Sequence, residues 1–198
     1  MARSANLIVG LTGGMGCGKS TAAAFFAERG FQRLDSDAVV HDILLPDPAV
    51  REAIRVRFGD GMFGADSQLR RDRLGARVFG DPADLAWLEN LLHPRLYEHW
   101  RKTFAASPGQ AWLVEVPLLF EKGLENWFDF TVCVTTDSVL QLRRLELKGI
   151  PPELARQRLA KQLPLARKCE LADLVLLNDG TPAFLREQVN ALADRLLN

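Results

Sequence analysis

Short apolar runs, too brief for helices, punctuate the chain. They cover residues 7–11, 112–116, 130–135 and 174–177, with a weaker run at 31–34 just after Gly30. Continuous runs of this length mark strands buried on both faces. Helical patterns lie between them. Residues 20–29 are rich in Ala and Phe and stop at Gly30, a signal for a helix C-terminus. Residues 137–148 open on Asp137 as an N-cap, repeat leucine at helical spacing and close before Gly149. Residues 182–197 have Thr181 as a cap and Pro182 in the first turn. Strands alternating with helices predict an α/β fold around a parallel sheet. Residues 38–105 break the alternation. They are rich in leucine and arginine, lack a strand pattern and predict a mostly helical insertion after the second strand. Turns are expected at Asp60-Gly61, at Pro82 and at Ser107-Pro108-Gly109.

Composition narrows the function. A length of 198 residues suits one globular domain with a small inserted subdomain. Lys+Arg and Asp+Glu are 25 each, so the chain lacks the basic excess of a general nucleic-acid binder. Cys17, Cys133 and Cys169 are odd in number and far apart in sequence, which argues against a disulfide framework or a zinc site and for a reducing, cytoplasmic compartment. No stretch approaches the roughly 20 apolar residues of a membrane span. The expected partners are therefore small molecules, not nucleic acid or membrane. The expected state is a monomer or weak homo-oligomer.

Five glycines fall between Val9 and Phe26, where a strand should give way to a helix. Gly13-Gly14-Met15-Gly16-Cys17-Gly18-Lys19-Ser20 matches G-x-x-x-x-G-K-[ST] in the context that motif requires. A phosphate chain must be wrapped by backbone N–H groups, and glycines permit the close approach and the unusual dihedrals of such a nest. The helix that follows aims its free N–H groups and positive dipole end at the same anion. Lys19 can reach the β- and γ-phosphates, and the Ser20 hydroxyl can ligate Mg²⁺. Cys17 is either a small filler or a reactive thiol near a helix start, and filler is favoured. The loop by itself says nucleoside triphosphate. No Asn-Lys-x-Asp guanine signature or transporter signature occurs, and Asp72-Arg73-Leu74-Gly75 lies in a helical stretch with no strand before it. A short chain with the loop at its start suits a small-molecule kinase. A non-catalytic nucleotide switch would need neither an acceptor base nor a phosphoryl clamp.

Leu34-Asp35-Ser36-Asp37 places two carboxylates at the end of the second strand. Ligands bind at the carboxyl ends of strands in open parallel sheets, so the pair is expected at the phosphate crevice. One can orient or deprotonate an acceptor hydroxyl, and the other can cap the next helix.

The stretch GLTGGMGCGKST resembles the dephospho-CoA kinase family, as do LDSD, LLHP at residues 91–94 and VPLLFE at 116–121. So do residues 141–144, the Gln162-x-Pro164 segment and ADLVLLNDG at 172–180. The order and spacing run from residue 9 to residue 180. The resemblance implies ATP-dependent phosphorylation, with Mg²⁺, of the ribose 3′-hydroxyl of dephospho-coenzyme A. It implies a P-loop kinase core (residues 1–37, 109–140 and 165–198), a helical substrate domain (38–108) and a lid (141–164). It assigns Asp37 as the acceptor base, with Lys19 and Arg144 as further catalytic residues. ATP would be held by residues 13–21, from Gly13 and Gly14 through Met15, Gly16, Cys17, Gly18, Lys19 and Ser20 to Thr21, and by Asn178. Asp35, His93, Leu118 and Leu119 would serve the acceptor. Where the family often carries a lid arginine, this chain has Lys148-Gly149, a point charge without the planar fork, so Arg144 is the preferred clamp. Glu115 precedes VPLLFE at a strand end where Walker B acids sit, and a Mg²⁺ role for it is disfavoured.

Charge gives an independent view of the lid. Residues 143–168 hold eight basic residues and two acids, a local balance of +6. Arg144 is read as part of a basic flap over ATP, whereas Arg156, Arg158, Arg167 and Lys168 are read as a solvated helix face. His93 alone would be a satisfied core histidine, and the resemblance moves it toward the substrate domain. Trp87, Trp100, Trp112 and Trp127 read as packing residues.

Overall fold

Each apolar run predicted above becomes a strand in the computed structural model, which describes residues 6–197. The elements begin β1 (Leu7–Gly13), α1 (Lys19–Glu28), β2 (Gln32–Asp35), α2 (Ser36–Val39), a π-helical turn at Val40–Leu44, α3 (Pro48–Phe58), α4 (Arg71–Gly80) and α5 (Pro82–Ala106). They continue as β3 (Ala111–Glu115), β4 (Phe130–Thr135), α6 (Ser138–Leu147), α7 (Pro152–Ala160), α8 (Leu165–Leu171), β5 (Leu174–Leu177) and α9 (Pro182–Leu197). Two compact units result. One comprises Met1–Asp35 with Pro108–Asn198, and the other is Ser36–Ser107. No helix among the described residues is long and apolar enough to cross a membrane.

The first unit is a five-stranded parallel sheet in the order β2-β3-β1-β4-β5. β1 is central. Its Val9 and Leu11 are fully buried, in a core shared with Ala22 and Phe26 of α1, Leu113, Val132, and Leu185 of α9. Burial on both faces is why the run reads as continuous rather than alternating. β1 extends past the expected residue 11 to Gly13, which pairs with Val134. A Cβ at Gly13 would lie 2.3 Å from the Val134 carbonyl oxygen, so only glycine lets the ladder continue there. β2 starts one residue later than predicted because Phe31 turns into the core, edge-on to Phe26 with centroids 5.2 Å apart.

The second unit is helical, as the missing strand pattern implied. Its core holds Val50, Ile54, Leu74, Val78, Leu92, Leu96 and Trp100. Asp47 caps α3 by accepting from the N–H groups of Ala49 (2.9 Å) and Val50 (3.1 Å). The turn expected at Pro82 is instead the start of α5, with Asp81 as its cap and Pro82 in its first turn, where no N–H is needed. α5 runs 25 residues and passes through Pro94. Pro94 and Asn90 are both exposed, so the carbonyl that Pro94 leaves unbonded can reach water. Asp84 is nearly inaccessible and is ion-paired with Arg57 (2.9 Å) and Arg77 (2.7 Å).

Candidate active site

The glycine loop lies between central β1 and α1, where the sequence put it. Gly18 precedes α1 with φ 95°, and a Cβ there would meet the Asn178 side-chain nitrogen at 2.1 Å. The loop's carbonyls are engaged within the protein. Lys19 Nζ donates to the carbonyls of Gly13 (3.0 Å) and Gly14 (3.1 Å). Gln141 Nε2 donates to the Met15 carbonyl at 2.7 Å, and Asn178 Nδ2 to the Cys17 carbonyl at 2.8 Å. With these carbonyls occupied, the loop's remaining N–H groups are the donors an anion needs. Ser20 and Thr21 are exposed on the first turn of α1. The Cys17 side chain is fully buried, and burial pushes its thiol above the usual range, which fits a filler and not a nucleophile.

A pocket of about 330 Å³ continues from the loop. The loop and α1 supply Gly16, Gly18 and Thr21; α6 and its C-cap supply Arg144, Leu147 and Lys148; the segment after β5 supplies Asn178, Gly180 and Pro182. Its size suits a small ligand. Arg144 is half-buried and fixed in place. Its Nη1 donates to Thr136 Oγ1 at 3.3 Å and its Nη2 to the Asn178 carbonyl at 2.8 Å. Those bonds fix its guanidinium at the wall of this pocket.

Two carboxylates meet at the strand ends. Asp35 ends β2 in register with Glu115 of β3, itself in register with Leu11 of β1. Glu115 is buried and ion-paired with Arg33 at 2.5 Å. Asp37 is exposed in the first turn of α2, in the helical unit, so the unit boundary falls between the two aspartates. His93 is also in the helical unit, half-buried on α5 with its ring 5.9 Å from that of Tyr97.

Two sequence-based assignments need correction. Leu119 does not present a wall to a ligand. It is fully buried, and a Cβ on Gly10 would lie 2.8 Å from its Cδ1, so it belongs to the core under β1; only Leu118 is partly accessible. Lys168 is not on a solvated face. It is fully buried on α8, where its Nζ donates to the Pro117 carbonyl at 2.8 Å and pairs with Glu121 at 2.8 Å. Thr12 Oγ1 reaches the same Pro117 carbonyl at 3.2 Å, and Glu121 also accepts from the Leu163 N–H. One ammonium thus ties the strand before the loop, the VPLLFE segment and the end of the lid region together. Arg156 and Arg167 do behave as predicted, pairing with Glu153 and Glu170 at the surface. Cys133 and Cys169, distant in sequence, bring their sulfurs to 3.8 Å as free thiols.

Gln141, Thr136, Lys168, Gly180 and Pro182 were given no site role from sequence. The first three act through bonds to carbonyls or hydroxyls remote along the chain. Gly180 and Pro182 had a local signal, since Gly180 lies in the short segment between β5 and α9 and Pro182 opens α9.

The profile of the dephospho-CoA kinase family matches residues 7–183. A dephospho-CoA kinase of Leifsonia xyli is 37% identical over 190 residues, covering 93% of this chain and 96% of that protein. One from Corynebacterium efficiens is 36% identical over 196 residues, covering 96% and 98%. Among solved structures, a protein of Thermus thermophilus superposes with a TM-score of 0.86 at 30% identity, over 97% of this chain and 98% of that one. The dephospho-CoA kinase of Campylobacter jejuni superposes with a TM-score of 0.72 at 25% identity, over 96% and 97%. The family profile over residues 7–183 and near-full-length relatives at 36–37% identity, on a fold that superposes on the Campylobacter jejuni kinase, show that the chain belongs to the dephospho-CoA kinase family.

Proposed function

We propose that the protein transfers the γ-phosphoryl group of ATP to the ribose 3′-hydroxyl of dephospho-CoA, giving CoA and ADP in the last step of CoA biosynthesis. The observation that carries this reading is the anion-ready loop opening into its own ligand pocket, in a chain of this family. The loop N–H groups hold the β- and γ-phosphates. Lys19 leaves its two carbonyl partners to follow the charge that develops on the transferring group. The pocket edged by Arg144, Leu147 and Pro182 takes the nucleoside end of ATP. Asp37 accepts the hydrogen bond of the 3′-hydroxyl, orients it and takes its proton as the new P–O bond forms. Leu118 and His93 contribute to the acceptor side.

The donors present suit Mg²⁺. Ser20 offers a hydroxyl, and Asp35 and Glu115 offer hard oxygens at neighbouring strand ends. No cluster of three His, Cys, Asp or Glu side chains able to hold a metal occurs among the described residues, which suits an ion bound largely through phosphates and water. Bound there, the ion neutralises phosphate charge. Residues 141–164 serve as the lid. Gln141 anchors one end to the loop and Lys168 secures the segment just beyond the other, so closure falls to the stretch between them. A reducing cytoplasm suits the three free cysteines.

The test is ADP release with and without dephospho-CoA, with the product mass read in parallel. We expect acceptor-dependent ADP release and the mass of CoA. ATP turnover indifferent to the acceptor, or no gain of one phosphoryl group, refutes the reading.

A further inference from the structure

We propose that a basic pocket wholly inside the helical unit, built by His41, Arg51, Gln68 and Arg71, binds the diphosphate of the acceptor. This rests on dephospho-CoA being that acceptor. The pocket encloses about 120 Å³, and Leu45, Pro46 and Leu69 complete it. No carboxylate lines it.

The arginines of this unit divide into two sets. Arg55 pairs with Glu52 and Asp60, Arg70 with Asp66, and Arg57 and Arg77 with Asp84. Arg71 makes no ion pair or hydrogen bond through its side chain among the described residues, although it fronts the pocket. Arg51 forms no ion pair; its guanidinium donates to the Ser67 carbonyl and lies 5.8 Å from the centre of the Phe63 ring. Five N–H donors on each planar guanidinium match the oxygens of phosphate, and both arginines retain donors for them. Arg71 is also the first residue of α4, whose positive end adds to the field.

The loop beside the pocket is held in a costly shape. Ser67, at φ 58°, is the one non-glycine residue with positive φ among those described. Such strain collects at ligand-binding positions. The Arg51–Ser67 bond, the Phe63–Leu69 bridge and the Gly64 N–H to Gln68 carbonyl bond together fix Gln68 and Leu69 at the pocket edge.

Position on the helix supplies the last link. Asp37 and His41 are four residues apart on one helical run, from α2 into the π turn, which separates them by one turn or roughly 6 Å of rise. In dephospho-CoA the 3′-hydroxyl and the 5′-diphosphate flank a single ribose. A base at Asp37 and an anion pocket one turn further along are spaced for those two groups. π turns of this kind recur at functional sites.

The experiment compares the wild type with Arg71→Ala and Arg71→Lys in the full chain. It measures KM for dephospho-CoA and for ATP, the inhibition constant of adenosine against dephospho-CoA, and calorimetric binding of dephospho-CoA without ATP. Adenosine carries the ribose and lacks the diphosphate. For Arg71→Ala we expect KM and Kd for dephospho-CoA to rise about tenfold or more, from loss of a charge-assisted phosphate contact. KM for ATP and the adenosine constant should stay within about twofold, a change too small to reflect a lost ionic contact. Arg71→Lys should fall between, keeping charge without the fork. Unchanged dephospho-CoA binding, or an equal loss for adenosine, overturns the proposal. A wild type that binds dephospho-CoA but never phosphorylates it refutes the function proposed above, while the calorimetric comparison still decides the pocket; no binding at all refutes both.

Discussion

The surroundings of the phosphate loop and the surface of the helical unit use polar groups in opposite ways. Around the loop, Gln141, Asn178, Lys168 and Thr12 are buried, and each donates to a backbone carbonyl. In the helical unit Arg55 and Arg70 pair with carboxylates at the surface, while Asp84 is buried. Buried partners cannot be exchanged for water without a large penalty, so they hold one geometry. Exposed pairs contribute little and re-form easily. The glycine loop is therefore held in one geometry by buried partners, and the helical unit carries arginines in exchangeable surface pairs.

The strongest way to break this contrast is Lys19→Ala. In the proposed reaction Lys19 follows the charge on the transferring group, and we expect a rate loss of about 10³ on its removal, within the range for deleting one transition-state donor. Steady-state turnover reads the loss and a melting curve checks the fold, since the ammonium donates to the carbonyls of Gly13 and Gly14. More than about a tenth of the wild-type rate would contradict a role in stabilising the transition state.

Lys168→Met tests the buried side of the contrast. It removes the cation paired with Glu121 and leaves the Pro117 carbonyl with only the Thr12 hydroxyl as donor, and breaking a buried pair this way costs about 3 kcal/mol or more. Urea unfolding should record that loss. An unchanged midpoint would mean that water replaces the ammonium and that the network is not a rigid brace.

Asp37→Asn and Asp35→Asn set the two units against each other. Asparagine keeps the size and can hold the hydroxyl but cannot take the proton. Single-turnover transfer should fall by about 10² for Asp37→Asn, the usual scale for losing a general base, with ATP affinity little changed. Asp35→Asn should cost less, mainly in Mg²⁺ dependence. A larger chemical defect at Asp35 with an unchanged melt would reverse the two roles. The smallest effect belongs to Arg55→Ala. Its partners Glu52 and Asp60 are exposed, and we expect no resolvable change in melting temperature or turnover. A clear loss would mean that the helical surface is more rigidly organised than its exposure implies.

The readable parts of the site were those whose chemistry lies in consecutive residues. Gly13 to Ser20 work through the backbone of one loop, and the residue types that permit such a backbone must stand in a fixed order. The helical insertion was readable by the loss of period-two and continuous apolar runs. Its details were not. Pro82 reads as a turn until Asp81 is seen capping a helix, because proline serves both roles. Lys168 reads as part of a charged face because its partner carbonyl at Pro117 lies 51 residues away. Leu118 and Leu119 are chemically alike, and only packing against β1 buries one of them.

The sequence by itself determined the parallel α/β architecture, the anion loop and the helical insertion, because periodicity and backbone chemistry are local. Tertiary structure alone decided which amides brace the loop, which lysine is buried, that Asp35 and Asp37 fall in different units, and that Arg71 faces a pocket lined by no carboxylate. Those outcomes depend on which distant groups become neighbours once the strands pair and the helices pack. A side chain's partner, burial and charge environment are properties of that neighbourhood and not of the residue type.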